Sequence, residues 1–215
     1  MFKEYAKYYD LIYADKPYKE EADFVYKWAG NPKTILELGG GTGKHAKHWI
    51  KKAHVEGVEQ SWRMCQGSPC VMHIGDIRYF DYYTLKKFDA VFAMFNVVGY
   101  ADLIYYLERL PLKKGGYFIF DCWDSSVVES QPPEYYTSNF GSIDRVVNPT
   151  IKDYFPYQRL EITIVKDHKP LFSEIHIVRS YYLDEITTLA KCCGYELVEF
   201  KNKPGWVTWI KLRKM

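Results

Sequence analysis

A glycine turn flanked by two acids is the part of this 215-residue chain best suited to chemistry. The segment Thr34-Ile-Leu-Glu-Leu-Gly-Gly-Gly-Thr-Gly43 joins a short apolar strand to a turn and then to a helix beginning near Lys44. Gly39, Gly41 and Gly43 permit a tight turn and a close ligand approach that side chains would obstruct. Glu37 lies toward the carboxyl end of the strand, where it can receive a cationic group directly or through water. The next strand, His54 to Glu59, ends in an acid eighteen residues beyond Gly41, placed to accept hydrogen bonds from two ribose hydroxyls. Together these residues can hold a nucleotide-like cofactor.

Spacing separates the candidates. A phosphate loop needs GxxxxGK[ST], but only three residues lie between Gly39 and Gly43, and His45 follows the lysine. A dinucleotide fingerprint needs a further glycine where Lys44 stands, although GxGxG remains compatible with a doubly wound α/β architecture.

Glu37, the GxGxG turn and Glu59 resemble the cofactor half of class I S-adenosylmethionine-dependent methyltransferases. Gly75-Asp76-Ile77 follows another apolar strand in the order expected of that family, with Asp76 to bind an adenine amino group and Ile77 to pack on the ring. The resemblance implies S-adenosylmethionine as cofactor, S-adenosylhomocysteine as product and no metal. Gln60, beside Glu59, and Phe95 join the expected cofactor contacts, and Lys16 is a candidate partner of the cofactor carboxylate or a solvated surface lysine.

A narrower resemblance is to bacterial N-methyltransferases of nucleotide-linked deoxysugars. It rests on Tyr8-Tyr9-Asp10-Leu11-Ile12-Tyr13, on Gly75-Asp76-Ile77-Arg78-Tyr79-Phe80 and on Met94-Phe95-Asn96-Val97-Val98-Gly99-Tyr100. Asp121-Cys122-Trp123 and His176-Ile177-Val178-Arg179 fall where similar segments occur. Glycine and sarcosine methyltransferases share parts of the pattern. Tyr13 is the candidate to approach the methyl-transfer centre, and Tyr9, Tyr13 and Tyr18 can close a lid or pack in a core. Asn96 and Tyr100 lie just beyond a strand, where open α/β sheets present ligands; a turn cap and helix packing are the alternatives. Trp123 can wall a sugar site or belong to the core. His176, with Glu174 two residues earlier on one strand face, can orient or deprotonate an acceptor, or serve as a structural histidine. The implied acceptor is a small-molecule amine, best the amino group of a nucleotide-linked aminosugar. O-methylation of a metabolite, glycine- or sarcosine-type N-methylation and a non-catalytic cofactor-binding protein are the alternatives.

Composition is compatible with an enzyme of this size. A content of 47% hydrophobic and 26% charged residues fits a globular chain with one substantial domain. A formal charge of +2 with scattered basic residues argues for no polyanionic partner, and Asn96-Val97-Val98-Gly99 lacks the Asn/Asp-Pro-Pro-aromatic pattern of many nucleic-acid amine methyltransferases. With neither a secretion signal nor an apolar span of roughly 18 residues, a soluble cytoplasmic protein is the simplest expectation. Cys65, Cys70, Cys122, Cys192 and Cys193 lack a paired CxxC arrangement and read as buried thiols; His45 and His48 have no acid or cysteine cluster to complete a metal site.

Periodicity predicts the elements that position these residues. Helices are expected over 20–29, 44–52, 101–110 and 183–193, and strands over 34–38, 54–58, 71–74, 88–94 and 116–121, with Gly115-Gly116 as the turn into the last. Alternation of strand and helix points to a mostly parallel, Rossmann-like sheet. After Pro132-Pro133, strands near 143–147, 159–166 and 171–181, with a turn at Asp167-His168-Lys169, predict a small antiparallel cap. The expected division is 1–134 and 183–215 for the cofactor domain and 135–182 for an inserted acceptor-site cap. An edge extension or a homodimer surface is the alternative to a cap. Strands 195–200 and 206–213 would complete a seven-stranded sheet whose antiparallel last strand the resemblance implies.

Overall fold

A computed structural model describes residues 4–151, 156–203 and 205–215. In chain order its first half contains α1 (Ala6–Ile12), α2 (Tyr18–Trp28), β1 (Thr34–Leu38), α3 (Ala46–Trp49), β2 (His54–Glu59), β3 (Val71–Ile74), β4 (Phe88–Ala93) and α4 (Leu103–Arg109). There follow β5 (Leu112–Trp123), α5 (Ser125–Ser130), β6 (Tyr136–Asn139), β7 (Asp144–Ile151), β8 (Tyr157–Lys166), β9 (Lys169–Arg179), α6 (Leu183–Cys192), β10 (Tyr195–Asn202) and β11 (Val207–Lys214).

The main sheet has the order β10-β11-β5-β4-β1-β2-β3. β5, β4, β1, β2 and β3 run parallel, and β11 is antiparallel to both its neighbours, as the resemblance implies. Buried strands of this kind must present apolar side chains to both faces. Leu36, Val91, Phe118 and Phe120 pack with α4 and α6 on one face, while Ile35, Phe92, Ile119 and Trp209 pack with α2 and α3 on the other. Leu38 is level with Val58 and with Ala93, and Ala93 with Phe120, so the carboxyl ends of the four central strands form one edge. Chain order reverses between β1 and β4, which opens the crevice where α/β sheets place ligands.

A second, four-stranded antiparallel sheet, β6-β7-β8-β9, lies in sequence between α5 and α6. Asp167 and His168 turn the β8–β9 hairpin at one edge of it with φ of 49° and 61°, the positive pair that a tight two-residue connection requires. Helix α1 packs on this sheet: Tyr5 and Ile12 share a buried cluster with Ile143, Val147, Ile162 and Ile164. Beside α1, Tyr13 also meets Phe95, just after β4 of the main sheet, with ring centroids 5.0 Å apart.

Several elements differ from expectation. The helix after the glycine turn is four residues long rather than spanning 44–52. At its ends the bonding tightens to i−3, from His48 N–H to the His45 carbonyl and from Lys52 N–H to that of Trp49. Gly115-Gly116 is an irregularity inside β5, not its start: Leu112 already pairs with Phe88, and the ladder resumes at Ala90 and Tyr117. The strand β6 had no periodic signal because its residues, Tyr-Thr-Ser-Asn, are mostly exposed. Of the five cysteines only Cys122 is buried; Cys192 is exposed, and all are free thiols. No described helix is long and apolar enough to cross a membrane.

Gly43 serves packing rather than ligand approach. Its φ is 75°, and a Cβ there would lie 2.5 Å from Pro69 Cδ. Gly115, at φ 78°, faces open space. Gly43→Ala should therefore cost about 2 kcal/mol or more, from overpacking added to left-handed strain, and Gly115→Ala about 1 kcal/mol from strain alone. Urea unfolding of the two variants measures the difference; equal midpoints would contradict it.

Candidate active site

The parallel strands deliver their carboxyl ends to one cavity. Gly39 and Gly41 line it after β1, Glu59 and Gln60 at the end of β2, Asp76 and Ile77 after β3, Phe95 and Asn96 after β4, and Trp123 at the end of β5. Tyr5, Tyr9 and Tyr13 enter from α1 and the residues beside it, and Arg145, Leu160, Ile162, His176 and Val178 from the smaller sheet. A side recess next to it is lined by Glu37, Tyr18, Met94 and the glycine turn.

Glu59 braces the turn. Its Oε2 accepts from Gly41 N–H at 3.1 Å and its Oε1 from Ser61 N–H at 2.8 Å. Each carboxylate oxygen keeps further acceptor capacity for a ribose hydroxyl. Burial raises its carboxyl above the ordinary value, against the opposing pull of those backbone bonds. Glu37 is also buried: Oε1 lies 3.3 Å from His45 Nδ1, while Oε2 is buried with no hydrogen-bond partner. An orphaned carboxylate oxygen beside the glycine turn is a receptor for a cation.

Asp121 organises the end of β4. Phe95 and Asn96 both adopt left-handed backbone, with φ of 73° and 55°, a costly conformation for consecutive non-glycine residues. The buried Asp121 Oδ1 accepts both their N–H groups, at 2.5 and 3.1 Å. Asn96 Oδ1 accepts from Trp123 N–H at 3.3 Å, so this side chain ties the turn to β5 and does not cap the following helical turn. Gly99 has to stay small, because a Cβ would lie 2.9 Å from the Asn96 amide.

The aromatic wall is one connected set. Tyr13 meets Tyr9 at 4.7 Å and Phe95 edge-on at 5.0 Å between ring centroids, and its hydroxyl lies 3.2 Å from that of Tyr5. Tyr100 Oη is 2.9 Å from His176 Nδ1. Desolvation raises the phenol pKa of Tyr5, Tyr9 and Tyr100, so these hydroxyls stay protonated.

Three expected site residues sit differently from their sequence reading. Lys16 is mostly buried and its ammonium pairs with Glu21; it does not line the cavity, and burial lowers its pKa to about 8. Asp76 lines the cavity, but Arg78 occupies both its oxygens, with Nε at 2.9 and 3.1 Å and Nη2 at 2.5 Å. His176 lacks the neutral-pH proton affinity expected of it, because burial holds its pKa near 4 despite the acid of Glu174, 3.7 Å away. Asp121 enters the sequence reading only within the Asp121-Cys122-Trp123 segment, with no site role, and Arg145 and Tyr5 do not enter it. Arg145 carried a signal: Ile143, Arg145 and Val147 alternate, which places the arginine on the inner face of a strand.

No family model matches the chain. Over 96% of both chains its structure matches an S-adenosylmethionine-dependent methyltransferase from Clostridium acetobutylicum, with a TM-score of 0.78 at 20% identity. DesVI of Streptomyces venezuelae matches over 98% of both chains, with a TM-score of 0.76 at 21% identity. The chain has the class I S-adenosylmethionine-dependent methyltransferase fold. In sequence it is 24% identical, across 94% of each chain, to the Streptomyces venezuelae dTDP-3-amino-3,4,6-trideoxy-alpha-D-glucopyranose N,N-dimethyltransferase.

The buried imidazole makes stability depend on pH. His176 ordinarily titrates near 6.5 but near 4 when folded, so the unfolded chain takes up the proton first as pH falls. Its contribution is complete above about pH 6.5 and declines by about 3 kcal/mol on acidification to pH 4. Urea unfolding between pH 7 and pH 4 should show a shallower pH dependence for His176→Gln than for the wild type; parallel curves would refute the assignment.

Proposed function

We propose that this protein transfers a methyl group from S-adenosylmethionine to the amine of a small molecule, best the amino group of a nucleotide-linked aminosugar. The observation that carries the cofactor half is the orphaned Glu37 Oε2, buried beside a glycine turn that Glu59 braces. Glu37 would take the cofactor ammonium, Glu59 its ribose hydroxyls, Gln60 and Ile77 the adenosyl edge, and Phe95 the face toward Tyr13. Asp76 would offer an adenine amino group an oxygen that it shares with Arg78. The cofactor supplies an electrophilic methyl on a sulfonium. The chain positions the acceptor in line with it and excludes water, which supplies much of such a rate enhancement.

Nitrogen attack is favoured over oxygen by the state of His176. With its pKa near 4, that imidazole is a weak base, and the neighbouring phenols are poor ones. An amine that arrives neutral brings its own lone pair, whereas a hydroxyl needs a base. Tyr13, Tyr100 and Asn96 would orient the acceptor, Trp123 would form an apolar wall, and Tyr9 would close against Tyr13. Segment 135–182, which includes the undescribed residues 152–155, would cap the acceptor: β7, β8 and β9 each contribute to the cavity. The name of the Streptomyces venezuelae relative supports an aminosugar.

An acceptor screen with S-adenosylmethionine, read by product mass and fragmentation, tests the proposal. Methyl addition at nitrogen of an aminosugar, with no product from its hydroxyl analogue, is expected; the reverse pattern would replace it with O-methylation, and product from glycine or sarcosine alone would redirect the acceptor. Glu59→Gln should weaken S-adenosylmethionine binding by about 10- to 100-fold in calorimetry, through lost charge-assisted hydrogen bonds. Unchanged affinity in a folded variant would remove Glu59 from the site.

A further inference from the structure

Arg145 lines the cavity and has no acidic partner among the described residues. It projects from β7 between the buried Ile143 and Val147, on the face that packs against Tyr5 and Ile12. Nη1 donates to Tyr136 Oη at 2.7 Å, and the Tyr5 hydroxyl is a further hydrogen-bond partner. The rings of Tyr136 and Tyr13 lie 5.6 and 5.9 Å from the guanidinium carbon. Nε is buried with no hydrogen-bond partner. Every partner of this guanidinium among the described residues is therefore neutral.

The nearby acids are committed elsewhere. Asp76 holds Arg78, Glu21 holds Lys16, Glu59 accepts from Gly41 and Ser61, and Asp121 accepts from Phe95 and Asn96. Glu174 accepts from Tyr5 N–H at 3.4 Å and faces His176. A guanidinium withdrawn from water without a counter-charge is costly, and two π faces offset only part of that cost. Its planar fork matches the two oxygens of a carboxylate or phosphate in a way an ammonium cannot.

We propose that Arg145 binds an anionic group of the acceptor, a carboxylate or a phosphate, through its unpartnered Nε edge and so selects acceptors that carry their amine a short distance from a negative charge. This rests on the methyl-transfer reading. The anion would stand beside Tyr13, so it would hold the amine toward the Tyr13 and Phe95 side of the cavity.

Matched acceptor pairs test it. An aminosugar 1-phosphate is compared with its methyl glycoside, and an amino acid with its amide, in the wild type, Arg145→Lys and Arg145→Met. The wild type should show a KM at least about tenfold lower for the anionic member of one pair, and the identity of that pair distinguishes phosphate from carboxylate. Arg145→Met should abolish the preference, Arg145→Lys should keep part of it, and S-adenosylmethionine affinity should be the same in all three. Equal KM values within both pairs for the wild type, or a preference that survives Arg145→Met, would overturn the proposal.

Calorimetric binding of pyrophosphate and of acetate to the wild type with S-adenosylhomocysteine bound gives a readout that needs no turnover. Binding of one anion, lost in Arg145→Met, supports the role of Arg145 even where no acceptor is methylated, a result that would count only against methyl transfer. Binding of neither anion would count against Arg145.

Discussion

Parallel pairing of β1 with β2 on one side and β4 on the other is the constraint on which the site depends. Parallel strands are joined by crossovers that begin at their carboxyl ends, so each strand must leave the sheet at the same edge. Glycines, acids and aromatics that are far apart in sequence are thereby brought to one crevice. The apolar strand residues secure the register through burial on both faces, and a slip would carry the acids away from the turn they brace.

Within that frame, buried carboxylates act as structural acceptors before they meet any ligand. Glu59 satisfies the N–H groups of Gly41 and Ser61, and Asp121 those of Phe95 and Asn96. Such groups would otherwise be unsatisfied donors in strained turns. The same residues therefore shape the cavity and line it. Glu37 differs, because one of its oxygens has no partner in the protein.

The smaller sheet supplies a different environment. Its inner face is apolar, and the aromatic segment around α1 packs against it. In that setting His176 is held neutral and the phenols protonated, so this side of the cavity offers orienting groups rather than a strong base. Arg145 and Glu174 are charged exceptions on this face.

Much of the fold and the glycine turn was legible in the sequence. The apolar runs at 34–38, 54–58 and 88–94 are local signals, and so are the glycines and the acids that end strands. Short-range order fixes these because strand burial and turn conformation depend on neighbouring residue types. The exposed β6, the pairing of Leu112 ahead of Gly115-Gly116 and the early end of α3 had no comparable pattern. Partnership was decided only by the tertiary structure: Lys16 goes to Glu21, Asp76 to Arg78, and His176 into a buried site that suppresses its charge. Sequence spacing specifies which side chains share an element and a face, but charge state and free hydrogen-bonding capacity depend on groups from other elements and on the exclusion of water.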